Sequence, residues 1–141
     1  MVILECIQDM EEEDNIAMLL PTSPLRQPRD ITSALEIFKD CNSVISVTEY
    51  NKPVSCLRYI VDDFITPIVQ TDCFEIQRQD IKKVYEVNGS IYISSVGNLK
   101  VNKSFHIGKV KPYIMDKLHS VDINTMEDFK LAEGLLSVND K

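Results

Sequence analysis

The sequence predicts an α/β fold, a parallel sheet flanked by helices, and three observations carry that prediction. Two short continuous apolar runs, Ile16-Ala17-Met18-Leu19-Leu20 and Val44-Ile45-Ser46-Val47, read as strands covered on both faces. Between them Pro28 and Asp30 open a segment in which Ile31, Ala34, Leu35 and Phe38 form one helical stripe. The resulting strand–turn–helix–strand order, with apolar strands, is the signature of a parallel sheet.

The elements follow in order. Ile3, Cys6, Ile7 and Met10 fall at helical spacing, so a helix is expected almost from Met1, with no capping residue ahead of it. This reads as a chain that begins inside a helix of a larger ancestral domain. Glu11-Glu12-Glu13-Asp14 sits badly at a helix C-terminus and is expected as a solvated loop. After the first strand, Pro21-Thr22-Ser23-Pro24-Leu25-Arg26 makes a stiff polar turn, and Lys39 suits the end of the helix that follows. From Tyr50 to about Gln77 no helical period appears. Strand-like pieces at Val54–Val61 and Ile65–Val69 suggest a hairpin-like excursion within one domain that spans residues 1–141. Arg78 to Val87 reads as a short helix and loop, and Asn88-Gly89 as a turn into a strand at Ser90–Ile93. Gly97 and Asn98 punctuate, Lys109–Met115 is a further strand, and Ser120–Ile123 follows it. The last helix is the clearest: Thr125-x-x-Asp128 resembles a capping box, and Phe129, Ala132 and Leu136 line one face beside Leu135.

Composition removes several classes of function. The 141 residues carry 15 Lys and Arg against 22 Asp and Glu, a net charge of −7, with no basic patch for a nucleic acid. Hydrophobic residues make up 44 % and charged residues 26 %, which fits a folded domain rather than a disordered chain. The apolar runs are too short to cross a membrane, and the N-terminus lacks the basic region of a signal peptide. Cys6, Cys41, Cys56 and Cys73 form no CxxC pair and are expected as reduced, mostly buried thiols of a cytoplasmic protein.

Few residues offer chemistry on their own. His119-Ser120-x-Asp122 has the letters of a catalytic triad, but neighbours on a strand point to opposite faces and do not converge. No glycine-rich phosphate loop is present. Asp122 and Asn124 alternate across Ile123 and can face the same side, where a carboxylate could hold Mg²⁺ between phosphate oxygens; the alternative is that Asn124 caps the final helix. Thr22, Ser23 and Arg26 lie at a strand end, where open α/β sheets bind ligands, and Arg26 could pair a carboxylate or phosphate; the alternative is a Pro-stiffened turn.

Taken together, Leu19–Arg26 (LLPTSPLR), Arg78-Gln79-Asp80, Asn88-Gly89-Ser90-Ile91-Tyr92 and Ser120–Thr125 with Asp128-Phe129 and Ala132-Glu133 resemble the acylneuraminate (CMP-sialic acid) cytidylyltransferases, from about residue 16 onward. The resemblance implies a Rossmann-like nucleotidyltransferase sheet with flanking helices. It implies transfer of CMP from CTP to a sialic-acid-like nonulosonic acid, with Mg²⁺ required and pyrophosphate released. On matching positions it assigns Asp122 and Arg26 to catalysis, Asp122 and Asn124 to the metal, and Thr22, Ser23, Arg78, Gln79, Asn88, Tyr92 and Phe105 to the substrates. Arg78 would meet the sugar carboxylate and Phe105 the acyl side. It also implies a homodimer joined through a small mid-chain extension, about residues 50–77. Three departures accompany the match: the family's N-terminal half with its CTP-gripping loop is not in this chain, so an N-terminally truncated domain is expected; Leu20 stands where a Gln is common; and Asn124 replaces the second metal carboxylate. The second reading they leave open is a noncatalytic sugar-binding or oligomerisation module.

Overall fold

The computed structural model describes residues 2–69 and 83–139. They form α1 (Val2–Cys6), β1 (Asn15–Leu19), α2 (Pro28–Phe38), β2 (Ser43–Tyr50), a short 3₁₀ turn (Val54–Cys56), β3 (Arg58–Val61), β4 (Phe64–Pro67), β5 (Val84–Ser95), α3 (Val96–Asn102), β6 (Val110–Ile114) and α4 (Met126–Asn139). The chain divides into two compact units, residues 1–48 with 87–141, and residues 49–86.

The first unit is α/β, as expected, but its sheet is mixed. The strand order is β1-β5-β2-β6, with β1 and β5 antiparallel and β2 and β6 parallel. The first two strands are therefore not neighbours, because β5 lies between them. The local pattern of β1, α2 and β2 could not foresee this, since strand order depends on a segment some forty residues further on.

Alternation along the central strands places a core on each face of the sheet. Ile45 joins Ile3, Ile7, Val96, Leu99 and Phe105 on the α1 and α3 side. Val44, Ile91 and Ile93 join Ala34 of α2 and Met115 on the other. Small hydroxyls fill the sheet between them, and each has a partner. Ser43 Oγ donates to Ser94 Oγ at 3.0 Å, Asn98 Nδ2 donates to Ser94 Oγ at 2.9 Å, and Ser46 Oγ donates to Asn88 Oδ1 at 2.5 Å.

Several local expectations need correction. β1 is an edge strand with Ala17 and Leu19 exposed, not a strand covered on both faces. Val84–Val87 open β5 where the end of a helix and loop was expected, and residues 78–82 lie outside the described residues. Asn88-Gly89 lies inside β5, where Gly89 adopts φ 74° without ending the strand. Gly97 and Asn98 belong to α3. Its start is fixed by Ser95, whose Oγ accepts the Asn98 N–H at 3.2 Å. A side chain at Gly97 would come within 3.2 Å of the Glu12 carbonyl, a tight contact that Glu12 would have to relieve by a small shift. Ser120–Ile123 is an irregular segment, not a strand. In α2 the buried stripe runs through Ala34, and Leu35 faces outward. In α4 only Ala132 of the expected apolar face is buried, while Phe129 and Leu136 line an open groove with Pro24 and Ile123. The thiols are not mostly buried: Cys6 and Cys56 are exposed, Cys41 is half-buried, and Cys73 lies outside the described residues.

The second unit contains the hairpin of β3 and β4, antiparallel with Val61 opposite Phe64. Asp62 (φ 49°) and Asp63 (φ 65°) make its two-residue turn in the left-handed region that tight hairpins require. Tyr59, Ile60, Val61, Phe64 and Ile65 are all exposed, so both faces of the hairpin are apolar and uncovered. A lone two-stranded hairpin is marginal in water.

Candidate functional site

Three segments of the first unit meet: the turn that follows β1, the second half of β5, and the irregular stretch between β6 and α4. The Ile123 N–H donates to the Thr22 carbonyl at 2.8 Å and ties the first to the third. Arg26 Nη1 donates to the Ser90 carbonyl at 2.8 Å and to the Leu20 carbonyl at 3.2 Å, which ties the turn to β5. Arg26 Nη1 thus braces the turn through main-chain acceptors.

Tyr92 stands on β5 with its ring centroid 5.4 Å from that of Phe105 and 6.3 Å from that of His106. Burial, and secondarily the negative charge of Asp122, hold the Tyr92 phenol above its ordinary pKa. The phenol therefore stays neutral through the physiological range, a hydroxyl able to donate beside a carboxylate. The structure brings Tyr92, Phe105 and Asp122 into one neighbourhood. His106 joins them although the sequence offered no signal for it, since nothing in its spacing from Tyr92 distinguishes it from a surface histidine.

Asp122 is half-buried. Its Oδ2 accepts Asn124 Nδ2 at 2.8 Å, and its Oδ1 is buried without a partner. The final helix is capped by other residues. Asp128 Oδ2 accepts the Thr125 N–H at 2.8 Å and the Thr125 hydroxyl at 2.8 Å, and Thr125 Oγ1 accepts the Asp128 N–H at 3.3 Å. The Asn124 side chain is thereby left to Asp122. Among the described residues no three His, Cys, Asp or Glu side chains cluster as a complete metal site. Asp122, through its Oδ2 beside the exposed Asn124 amide, is a donor set that suits a cation taking its remaining ligands from water and phosphate oxygens, as Mg²⁺ commonly does.

Asn88 sits in a hydrogen-bond network of the chain's own groups. It is 8 % exposed, and its amide accepts from Ser46 Oγ and the Ser90 N–H while donating to Ser120 Oγ at 2.9 Å and Met115 Sδ at 3.3 Å. Ser120 in turn donates to the Asp116 carbonyl at 2.7 Å, and His119 Nδ1 lies 3.8 Å from Asp30 Oδ2 at the start of α2. His119, Ser120 and Asp122 thus face different partners and form no triad. Thr22 contributes its carbonyl to the Ile123 bond, Ser23 is buried, and Arg78 and Gln79 lie outside the described residues.

The fold of the chain is shared with two solved structures. The chain superposes on the 2-C-methyl-D-erythritol 4-phosphate cytidylyltransferase of Francisella tularensis with a TM-score of 0.65 at 14 % identity, over 94 % of this chain and 64 % of that one. The 4-diphosphocytidyl-2C-methyl-D-erythritol synthase of Anaerococcus prevotii gives 0.64 at 13 % identity, over 96 % and 64 %. No protein-family model matches the chain.

In sequence the chain is 35 % identical over 134 residues to the CMP-N,N'-diacetyllegionaminic acid synthase of Legionella pneumophila, covering 89 % of this chain and 55 % of that protein. It is 33 % identical over 122 residues to the N-acylneuraminate cytidylyltransferase of Escherichia coli, covering 84 % and 29 %. It is 30 % identical over 131 residues to the enzyme of the same name from Streptococcus agalactiae, covering 91 % and 32 %. The chain thus spans from under a third to about half the length of these curated relatives.

Proposed function

We propose that this chain transfers CMP from CTP to a sialic-acid-like nonulosonic acid, as the C-terminal, sugar-recognising part of a cytidylyltransferase. The observation that carries this reading is the 35 % identity to a CMP-diacetyllegionaminic acid synthase across 89 % of the chain. The neighbourhood of Tyr92, Phe105 and Asp122 supports it. In the proposed reaction the anomeric oxygen bonds to the α-phosphorus, the bond to the bridging phosphate oxygen breaks, pyrophosphate leaves and the hydroxyl proton passes to water. Asp122 would hold Mg²⁺, with Asn124 offering a neutral oxygen after a half-turn of its amide. Bound there, the ion would supply charge neutralisation for the phosphates. Tyr92 and Phe105 form an apolar wall for the acyl side of the sugar, and Arg78 is assigned to its carboxylate. The exposed apolar hairpin of β3 and β4 fits contact with a second copy of the chain.

A second reading, a sugar-binding or oligomerisation module without transfer, is favoured by two observations. Arg26 Nη1 is committed to main-chain carbonyls, and Asn124 brings no charge to a cation. Titration calorimetry with a panel of nonulosonic acids tests the sugar site common to the transferase and the sugar-binding module. Saturable binding that Tyr92→Ala weakens about tenfold is expected; no binding by the folded chain to any member of the panel overturns the transferase and the sugar-binding module and leaves only oligomerisation.

A further inference from the structure

Among the described residues two buried side-chain oxygens have no hydrogen-bond partner, Ser23 Oγ and Asp122 Oδ1. They belong to different segments, and those segments are joined by the bond from the Ile123 N–H to the Thr22 carbonyl at 2.8 Å. Ser23 and Asp122 are the chain neighbours of that bonded pair. Their capacities are complementary, because a serine hydroxyl has a proton to give and an ionised carboxylate only accepts. The other buried serines of the sheet show what is normal in this protein: the hydroxyls of Ser43, Ser46, Ser90 and Ser94 all have partners. A buried polar atom without one loses its hydration and gains nothing.

We propose that Ser23 is a positioning residue for Asp122: its hydroxyl donates to a shared buried water that in turn donates to Oδ1. The hydroxyl would hold one carboxylate oxygen inward, while Oδ2 stays with the exposed Asn124. The acidic side chain would then present a single oxygen at a fixed angle, not a freely turning carboxylate. Ligand-bearing carboxylates depend on such supporting bonds for their orientation. Ser23 lies on a turn already fixed by Pro21, Pro24 and the Arg26 bonds, so its own position is set before any ligand arrives. This role differs from direct contact with substrate, which a hydroxyl buried to 2 % exposure could not easily make.

The inference rests on Asp122 being the acidic centre of the site proposed above. Its test needs neither CTP nor sugar, so its failure and the failure of that reading are distinguishable. Urea unfolding is measured for the native chain, Ser23→Ala, Asp122→Asn and the double variant. If the hydroxyl serves the carboxylate, Ser23→Ala lowers the folding equilibrium constant about tenfold in the native background, as for a bond to a charged group. With Asn at 122 the same change costs about threefold or less. Ser23→Thr, which keeps the hydroxyl, restores the coupling. Equal or greater stability of Ser23→Ala in the native background overturns the proposal, because deleting an idle buried hydroxyl is then neutral or favourable. The same loss in both backgrounds also overturns it, because Ser23 then acts without Asp122. Should the extra methyl of threonine prevent folding, a crystal structure of the native chain decides: a water bound to the Ser23 hydroxyl must lie within hydrogen-bond distance of Asp122 Oδ1, and a bare Oδ1 refutes the pairing.

Discussion

Replacing Asn88 by alanine removes four contacts at once, and the cost can be worked from the structure. The Ser46 hydroxyl loses its acceptor and the Ser90 N–H loses the side-chain oxygen it points to. Ser120 Oγ loses a donor but keeps its own bond to the Asp116 carbonyl, and Met115 Sδ loses a weak contact. Two stranded buried donors and one lost bond, at about 1 kcal/mol each, give a loss of about 2–4 kcal/mol. For a chain of this size that corresponds to a fall in Tm of roughly 6–15 °C. Urea and thermal unfolding of the ligand-free chain measure it. A residue that served only to touch the sugar would leave the ligand-free chain unchanged. A loss below about 0.5 kcal/mol, the usual range of an uninvolved position, therefore refutes the network and returns Asn88 to the ligand-binding role that the family resemblance assigns.

Other substitutions probe the frame around the site. Arg26→Ala should destabilise the chain by about 1–2 kcal/mol and speed amide exchange at Ser23, by releasing the Leu20 and Ser90 carbonyls; unchanged exchange would show that the turn holds its shape without the arginine. Gly89→Ala should cost about 1–2 kcal/mol, because its φ of 74° is one that a side chain resists, and a neutral result in chemical denaturation would show that β5 accommodates a side chain there. The hydroxyl and main-chain bonds of Thr125, with that of Asn124, hold the Asp128 carboxyl below its ordinary pKa. A carboxyl lowered on folding stabilises fully above its unfolded value of about 4 and loses that contribution as pH falls through the lowered folded value. Asp128→Asn should accordingly flatten the acid limb of a stability–pH curve below about pH 4 and leave its neutral limb parallel; an unchanged acid limb would exclude the cap as its source.

What could be read from the sequence is what short-range chemistry decides. Pro28 with Asp30, whose Oδ2 accepts the Gln27 N–H at 2.7 Å, starts α2 where expected, and Thr125 with Asp128 starts α4. The run from Val44 is a buried strand because apolar residues and small serines face a core on either side. Strand order was not legible. Ile16–Leu20 has the same apolar character as a central strand, and only the absence of a described neighbour on one side of β1 makes it an edge. Asn88-Gly89 carries turn chemistry, an Asn oxygen bonded two residues ahead and a glycine at positive φ, yet β5 runs on through it into Ile91–Ser95, which pair with β1. Of the site, Asp122 and Asn124 do meet, but across an irregular segment and not by the strand alternation expected for it, whereas the approach of Tyr92, Phe105 and Asp122 depends on three separate segments of the chain. The closing of Asn88 onto Ser46, Ser120 and Met115 has no local signal either, because each partner comes from a different element.

The most direct test of the account is pyrophosphate release by the purified 141-residue chain supplied with CTP, Mg²⁺ and each member of a nonulosonic acid panel. The account predicts release that requires one of these sugars, yields the CMP-sugar in equal amount and is lost in Asp122→Asn. Sugar binding by the folded chain with no release under any of these conditions would contradict transfer by this chain and leave the binding module as its function.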